Sequence, residues 1–177
     1  MIALSRHIVL FLMLLLLTFS CSQGPSLQTY YVDNQEKPGF LSVDIPSSFL
    51  NIDKSSLSSE QLEAYKSINK LNMLGYKVDA SNMDTYNAEL TILDDNQYEE
   101  LIRGGNTQDG KFVVKYTGNI ENIDEFIIFG NAADKGFAII RVLGKDMNAN
   151  KIMSLTQVAE NMDVNDDSVK QFMAFFE

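Results

Sequence analysis

The sequence is poor in the side chains that most often carry catalysis. In 177 residues it has one histidine, His7, one cysteine, Cys21, and no tryptophan. Positive charge is scarce too: 14 Lys and Arg stand against 24 Asp and Glu, a net charge of −10. A nucleic-acid binder needs a basic face, so this balance argues against nucleic acid as a partner. No apolar run reaches the length of about 20 residues that a membrane-spanning helix requires. The three prolines, Pro25, Pro38 and Pro46, all lie in the first quarter or so of the chain, and none follows. What is present suits a folded domain. With 45% hydrophobic and 21% charged residues, the chain can bury a core, and its length fits one domain.

The start of the chain reads as a targeting segment. Arg6 and His7 precede the apolar stretch Ile8–Leu17, and Thr18-Phe19-Ser20-Cys21 follow. A short apolar core ending in a small residue is the pattern of a secretory signal peptide, expected over residues 1–20. The cysteine directly after Ser20 resembles a bacterial lipobox, although Phe19 is bulky and Leu17 sits one place further from Cys21 than usual. That resemblance implies acylation of Cys21, which makes the lipid bilayer an expected partner. Each buried CH₂ contributes about 0.8 kcal/mol, so three acyl chains would anchor the protein almost permanently. Cleavage before Cys21 leaves 157 residues with 13 basic and 24 acidic side chains, a net charge of −11 and no histidine. Ser-His and Cys-His nucleophiles, histidine bases and His/Cys metal sites are then excluded.

Residues 21–45 are expected to be a tether, since they combine Pro25, Pro38, Gly24 and Gly39 with little periodicity. A single domain is expected over 46–177. Its elements begin with a helix over Ser59–Ser67, capped by Ser58 or Ser59. A strand follows over Ile68–Val78, with Gly75 as a bulge. Asn82 then opens a helix bearing Met83, Tyr86, Leu90 and Leu93. Strands over Tyr98–Arg103, Phe112–Tyr116, Glu125–Phe129 and Phe137–Leu143 are joined by turn chemistry at Asp109-Gly110, Gly118-Asn119 and Asp134-Lys135-Gly136. Asn148 caps a further helix, and a terminal helix occupies 163–177. The fold class is therefore α+β: an antiparallel meander of about five strands with helices packed on it. Phe126, Ile128, Ile139 and Val142 are expected in the core. Helices are expected on one face, with the terminal helix or a partner on the other.

Several near-motifs have simpler explanations. Gly105 to Phe112 almost spells a phosphate-binding loop, but Phe112 replaces the Mg²⁺-binding hydroxyl and a strand follows, so a hairpin is expected. Ser67 and Lys70 have Ser-x-x-Lys spacing, yet sit at a helix-to-strand transition. Asp163 to Asp167 mimics the start of a calcium loop, but Ser168 and Ala174 stand where glycine and glutamate are needed. Glu99 and Glu100, adjacent in a strand, point to opposite faces. No catalytic, cofactor-binding or metal-binding residue is assigned, and no cofactor is expected.

Between Leu57 and Gln157 the chain resembles the domain of unknown function 4252 family of Bacteroidota lipoproteins. The resemblance is carried by Asn96-Gln97-Tyr98-Glu99-Glu100-Leu101-Ile102-Arg103, by Gly110-Lys111-Phe112-Val113-Val114-Lys115, by Ile123–Ile128 and by Gly136–Gly144, in that order. It implies a location and a fold, but no chemistry. Ser22-Gln23-Gly24 lacks an early acidic run, which by the same resemblance implies a periplasm-facing outer-membrane lipoprotein. The expected function is a non-enzymatic module that binds an envelope protein or peptide. An apolar-ligand or lipid binder is the first alternative and a carboxylate-based hydrolase the second. Phe172, Phe175 and Phe176 on the terminal helix form the candidate partner surface.

Overall fold

A computed structural model of the chain describes residues 26–49, 53–78, 98–106, 110–132, 134–159 and 167–177. The signal peptide, Cys21 and the helix expected from Asn82 lie outside these residues. Helix α1 spans Leu27–Asn34 and strand β1 Phe40–Pro46, followed by a 3₁₀ turn at Ser47–Phe49. Helix α2, Ser59–Ser67, runs directly into β2, Ile68–Lys77. Then come β3, Glu99–Asn106; β4, Gly110–Asn119; β5, Asn122–Ala132; and β6, Gly136–Met147. Helices α3, Ala149–Ala159, and α4, Asp167–Ala174, close the chain.

The six strands form one antiparallel sheet in the order β1-β2-β6-β5-β4-β3. The expected meander is β3 to β6, and the strand beyond the expected five is β1. Local signals account for most boundaries. The Ser58 hydroxyl accepts from the Gln61 N–H, and the Gln61 side chain accepts in return from the Ser58 N–H, a capping box that starts α2. The Asn148 side chain accepts from the Asn150 and Lys151 N–H groups at 3.0 and 3.3 Å and starts α3. Gly75 is not a bulge. It pairs regularly with Leu41 and Ala138, and the register shift in β2 falls between Ile68 and Lys70.

Alternation along the strands makes two buried faces. Leu74, Tyr76, Ile127, Phe129, Phe137 and Ile139 pack against Leu27, Tyr30 and Tyr31 of α1. On the opposite face Phe126, Val142, Val114 and Tyr116 cluster with Ala64 of α2 and with Ala149 and Ile152 of α3. Beside them Val43, Ile45 and Met73 pack against Phe172 of α4. Of the expected core residues, Phe126, Ile139 and Val142 are buried and Ile128 is partly so.

Two expectations are corrected here. Residues 26–45 are not a tether: α1 and β1 belong to the domain. The second sheet face is not covered by the terminal helix either. Helix α4 shares its face with α2 and α3, and α1 covers the other. The reason is a spacing of only three positions, Leu27, Tyr30 and Tyr31, too short to stand out among polar neighbours.

A polar network pins α1 to the sheet. The Tyr31 hydroxyl donates to the Ile139 carbonyl at 2.6 Å, with the Asn72 carbonyl a second acceptor at 3.1 Å. Burial pushes the Tyr31 phenol far above its ordinary pKa. Arg141 is 4% exposed, pairs with Glu125, and donates to the Gln28 side chain of α1 at 2.8 Å. Its guanidinium also lies 5.1 Å from the centroid of the Tyr31 ring.

Candidate functional site

Directly paired residues of antiparallel strands share a face, so the register lays out each row across the sheet. One row on the α4 face is unusually small. Gly104, Phe112, Gly130, Ala138, Gly75 and Leu41 follow one another from β3 to β1. The gaps left at two of these glycines are filled by rings. A Cβ on Gly104 would sit 2.6 Å from the Phe112 ring, and one on Gly75 would sit 2.8 Å from the tip of Phe176. Glycine at these positions admits a close approach. At Gly130 the space is open among the described residues: an added Cβ would meet only the Lys111 carbonyl, 4.0 Å away.

The result is a groove of about 390 Å³, floored by Gly130 and Ala138 and walled by Phe112 and Phe176. Phe112 is 42% exposed, although the next four residues of its strand, Val113 to Tyr116, are all buried. Lys111 and Lys135 border the groove, but Lys111, next to Phe112 in β4, turns its side chain to the opposite face and presents its backbone carbonyl toward Gly130. Lys111 is the second residue of β4 and Lys135 lies in the β5–β6 turn, so both stand at the hairpin-turn end. Both are exposed, and neither forms an ion pair with a described residue. Among the described residues no carboxylate, hydroxyl or thiol lines the groove. Its chemistry is that of an apolar slot with Lys135 near one end.

The structure separates the three phenylalanines expected to form a partner surface. Phe172 is 4% exposed and belongs to the core with Val43, Ile45 and Met73, so it is not a surface residue. Phe175 is half-buried, its ring edge-on to Phe176 at 5.1 Å. Phe176 packs edge-on to Phe172 at 5.6 Å and lines the groove. The separation follows from where the helix ends: Phe172 lies within α4, which stops at Ala174, and Phe175 and Phe176 follow in the turn beyond it. Phe112, Gly130 and Ala138 were not singled out as site residues from sequence. The available signal was Gly130, a glycine directly after the apolar strand run that ends at Phe129.

The remaining candidates resolve as follows. Gly105 pairs with Lys111 and Asn106 with Gly110, the expected hairpin in place of a phosphate loop. Ser67 Oγ donates to the Ala64 carbonyl at 2.7 Å and so closes the turn of α2. Glu99 faces Tyr116 across the strands and Glu100 faces Lys115, on opposite faces as expected. Glu99 accepts from the Tyr116 hydroxyl at 2.6 Å, which raises the phenol pKa. Arg103 forks onto Glu100, and that hydrogen bond lowers the carboxyl pKa. The calcium-like run lies largely outside the described residues. Among the described residues no three His, Cys, Asp or Glu side chains converge as metal ligands. No described helix is long and apolar enough to cross a membrane.

No curated protein and no solved structure matches the chain. A family model, that of a domain of unknown function (DUF4252), matches residues 30–155. That span begins within α1 and contains all six strands, Phe112 and the groove floor, whereas α4 and Phe176 lie beyond it. The match covers well over half of the chain, which therefore belongs to the DUF4252 family.

Proposed function

We propose that this protein is a non-enzymatic, envelope-anchored binding module that grips an apolar side chain of a polypeptide partner in the groove between Phe112 and Phe176. The observation that carries the reading is the bare floor at Gly130 and Ala138, with an exposed aromatic ring beside it. Exposed contiguous apolar surface on a small domain marks an interaction site more often than it stands idle. An enzyme would need reacting groups at this slot, and among the described residues its lining supplies lysine, asparagine and apolar surface. A small apolar ligand would need fuller enclosure than an open groove gives. A peptide can leave the rest of its surface outside.

Gly130→Val provides the test. The open space accepts the new side chain, and a β-branched residue suits a strand, so the melting temperature should hold or rise. Binding of an apolar fluorescent dye such as bis-ANS should weaken about tenfold, the loss of roughly 1.4 kcal/mol of apolar contact. Phe112→Ala should weaken it similarly without unfolding the domain. Unchanged dye affinity in both variants would refute the groove as the binding site.

The anchor belongs to the same proposal. Ser20-Cys21 supports acylation of Cys21 and attachment to the outer membrane, facing the periplasm. Cys21→Ala should move the protein from the membrane to the soluble fraction and remove the acyl mass from the N-terminus. Membrane fractionation that survives Cys21→Ala, with no acyl mass on the unaltered chain, contradicts it. Protease shaving of intact cells should leave the domain intact; its removal would place the protein on the cell surface.

A further inference from the structure

Resting on the groove reading above, we infer that the occupant is an amphipathic helix of a partner polypeptide, its apolar stripe laid along β5 and β6 and its polar face basic. The floor belongs to two central strands: β5 lies between β6 and β4, and β6 between β2 and β5. Their backbone donors and acceptors are taken up by the sheet ladder. The Asn131 side chain turns to the opposite face together with that of Lys111, its cross-strand pair. An extended segment laid on this floor would therefore bury N–H and C=O groups with little to bond. Strand addition needs a sheet edge, and the edges here are β1 and β3. A helix closes its backbone hydrogen bonds internally and presents only side chains, which is how helices are taken up by apolar grooves.

The dimensions agree. On the α4 face exposure rises along both strands toward the hairpin turn. Phe126 and Val142 are buried, whereas the pairs Ile128–Ile140 and Gly130–Ala138, and then Ala132, are only half-buried. From Ile128 to Ala132 the strip runs about 13 Å, or two to three turns of helix. Gly104 and Gly75, which carry the Phe112 and Phe176 rings, stand four strand spacings apart, about 19 Å. A helix is about 10–12 Å across with its side chains, which matches that width less the two rings. Helices also cover the rest of this face, so a partner's helix completes the layer. The charge of its polar face follows from the field it meets. The chain carries a net charge of −10, and exposed Asp134 and Glu177 directly adjoin the lining residues Lys135 and Phe176 in sequence. Such a field attracts a basic face and repels an acidic one.

The experiment uses the acylation-free Cys21→Ala protein and three pools of fluorescein-labelled peptides of about 14 residues, four turns of helix. The first pool carries Leu, Ile or Phe at helical spacing among Lys, Gln and Ala. The second has the same composition with its apolar residues alternating, and the third keeps the helical spacing but replaces Lys with Glu. At low salt the first pool should bind about tenfold tighter than either other, and its lead over the third should narrow at high salt. Gly130→Val and, separately, Phe112→Ala should each weaken it about tenfold. Circular dichroism of the mixture should show helix gained on binding. Equal binding of the first and second pools, both sensitive to Gly130→Val, overturns the helix inference and leaves the groove reading standing. Equal binding of the first and third at low salt overturns the basic face. A dimer of the protein in sedimentation equilibrium that Gly130→Val dissolves would give the groove to a second copy and overturn the inference. Binding of no pool, while dye affinity still falls in Gly130→Val, overturns the helix alone; with dye affinity unmoved, the groove reading falls as well.

Discussion

A chain cut to residues 46–177 will not fold, whereas one beginning at residue 26 will. The shorter chain lacks Leu27, Tyr30 and Tyr31 of α1 and Val43 and Ile45 of β1, all buried, and partly buried Phe40. Each such side chain contributes about 1.5–3 kcal/mol when buried, so their loss is on the order of 10 kcal/mol. A whole domain is stable by only about 5–15 kcal/mol. The cut also leaves Leu74, Tyr76, Phe137 and Ile139 facing water and strips β2 of its outer neighbour. Circular dichroism and amide dispersion in solution NMR read the outcome. A cooperative thermal transition and native dispersion in 46–177 would show that α1 and β1 are accessory.

Arg141→Met should be the most damaging single substitution among the polar residues, at about 3–5 kcal/mol, because it leaves the Glu125 carboxylate in a buried site without its cation. The side chains of Arg141 and Glu125 are 5% and 14% exposed. The same change removes the donor to Gln28 and the cation over the Tyr31 ring, so it also loosens α1. Arg141→Met combined with Glu125→Met should recover most of the loss, since a well-packed apolar pair replaces a buried ion pair at little cost. Urea denaturation midpoints with unchanged slopes measure both. A loss under about 1 kcal/mol in the single variant would mean that water reaches Glu125 and relieves it.

The parts of this fold legible in the sequence are those specified over a few residues. Ser58 with Gln61, Asn148 ahead of α3, and the glycine turns at 110, 118 and 136 each act through hydrogen bonds or backbone angles within one turn. The period-two pattern of 112–116 marked a strand for the same reason, and runs apolar on both faces in 126–129 and 137–143 marked central strands. The groove was illegible because its lining comes from β4, β5, β6 and the chain's last residues, within a row that spans five strands. Gly104, Phe112, Gly130, Ala138 and Gly75 become one row only through register.

By itself, then, the sequence determined the α+β class, the β3–β6 meander, the capped helices and the family, since these depend on local pattern and on the order of segments. Tertiary structure alone decided that residues 26–45 join the domain. An eight-residue helix is marginal in water and exists because the sheet receives Leu27, Tyr30 and Tyr31. The edge position of β1 tolerates Pro46 at its end, and Gly39, at φ +85°, supplies the left-handed turn before it, so punctuation that reads as a linker encloses a strand. Which helix covers which face was likewise beyond local pattern: an amphipathic stripe states that it must be buried, and only long-range packing states against what.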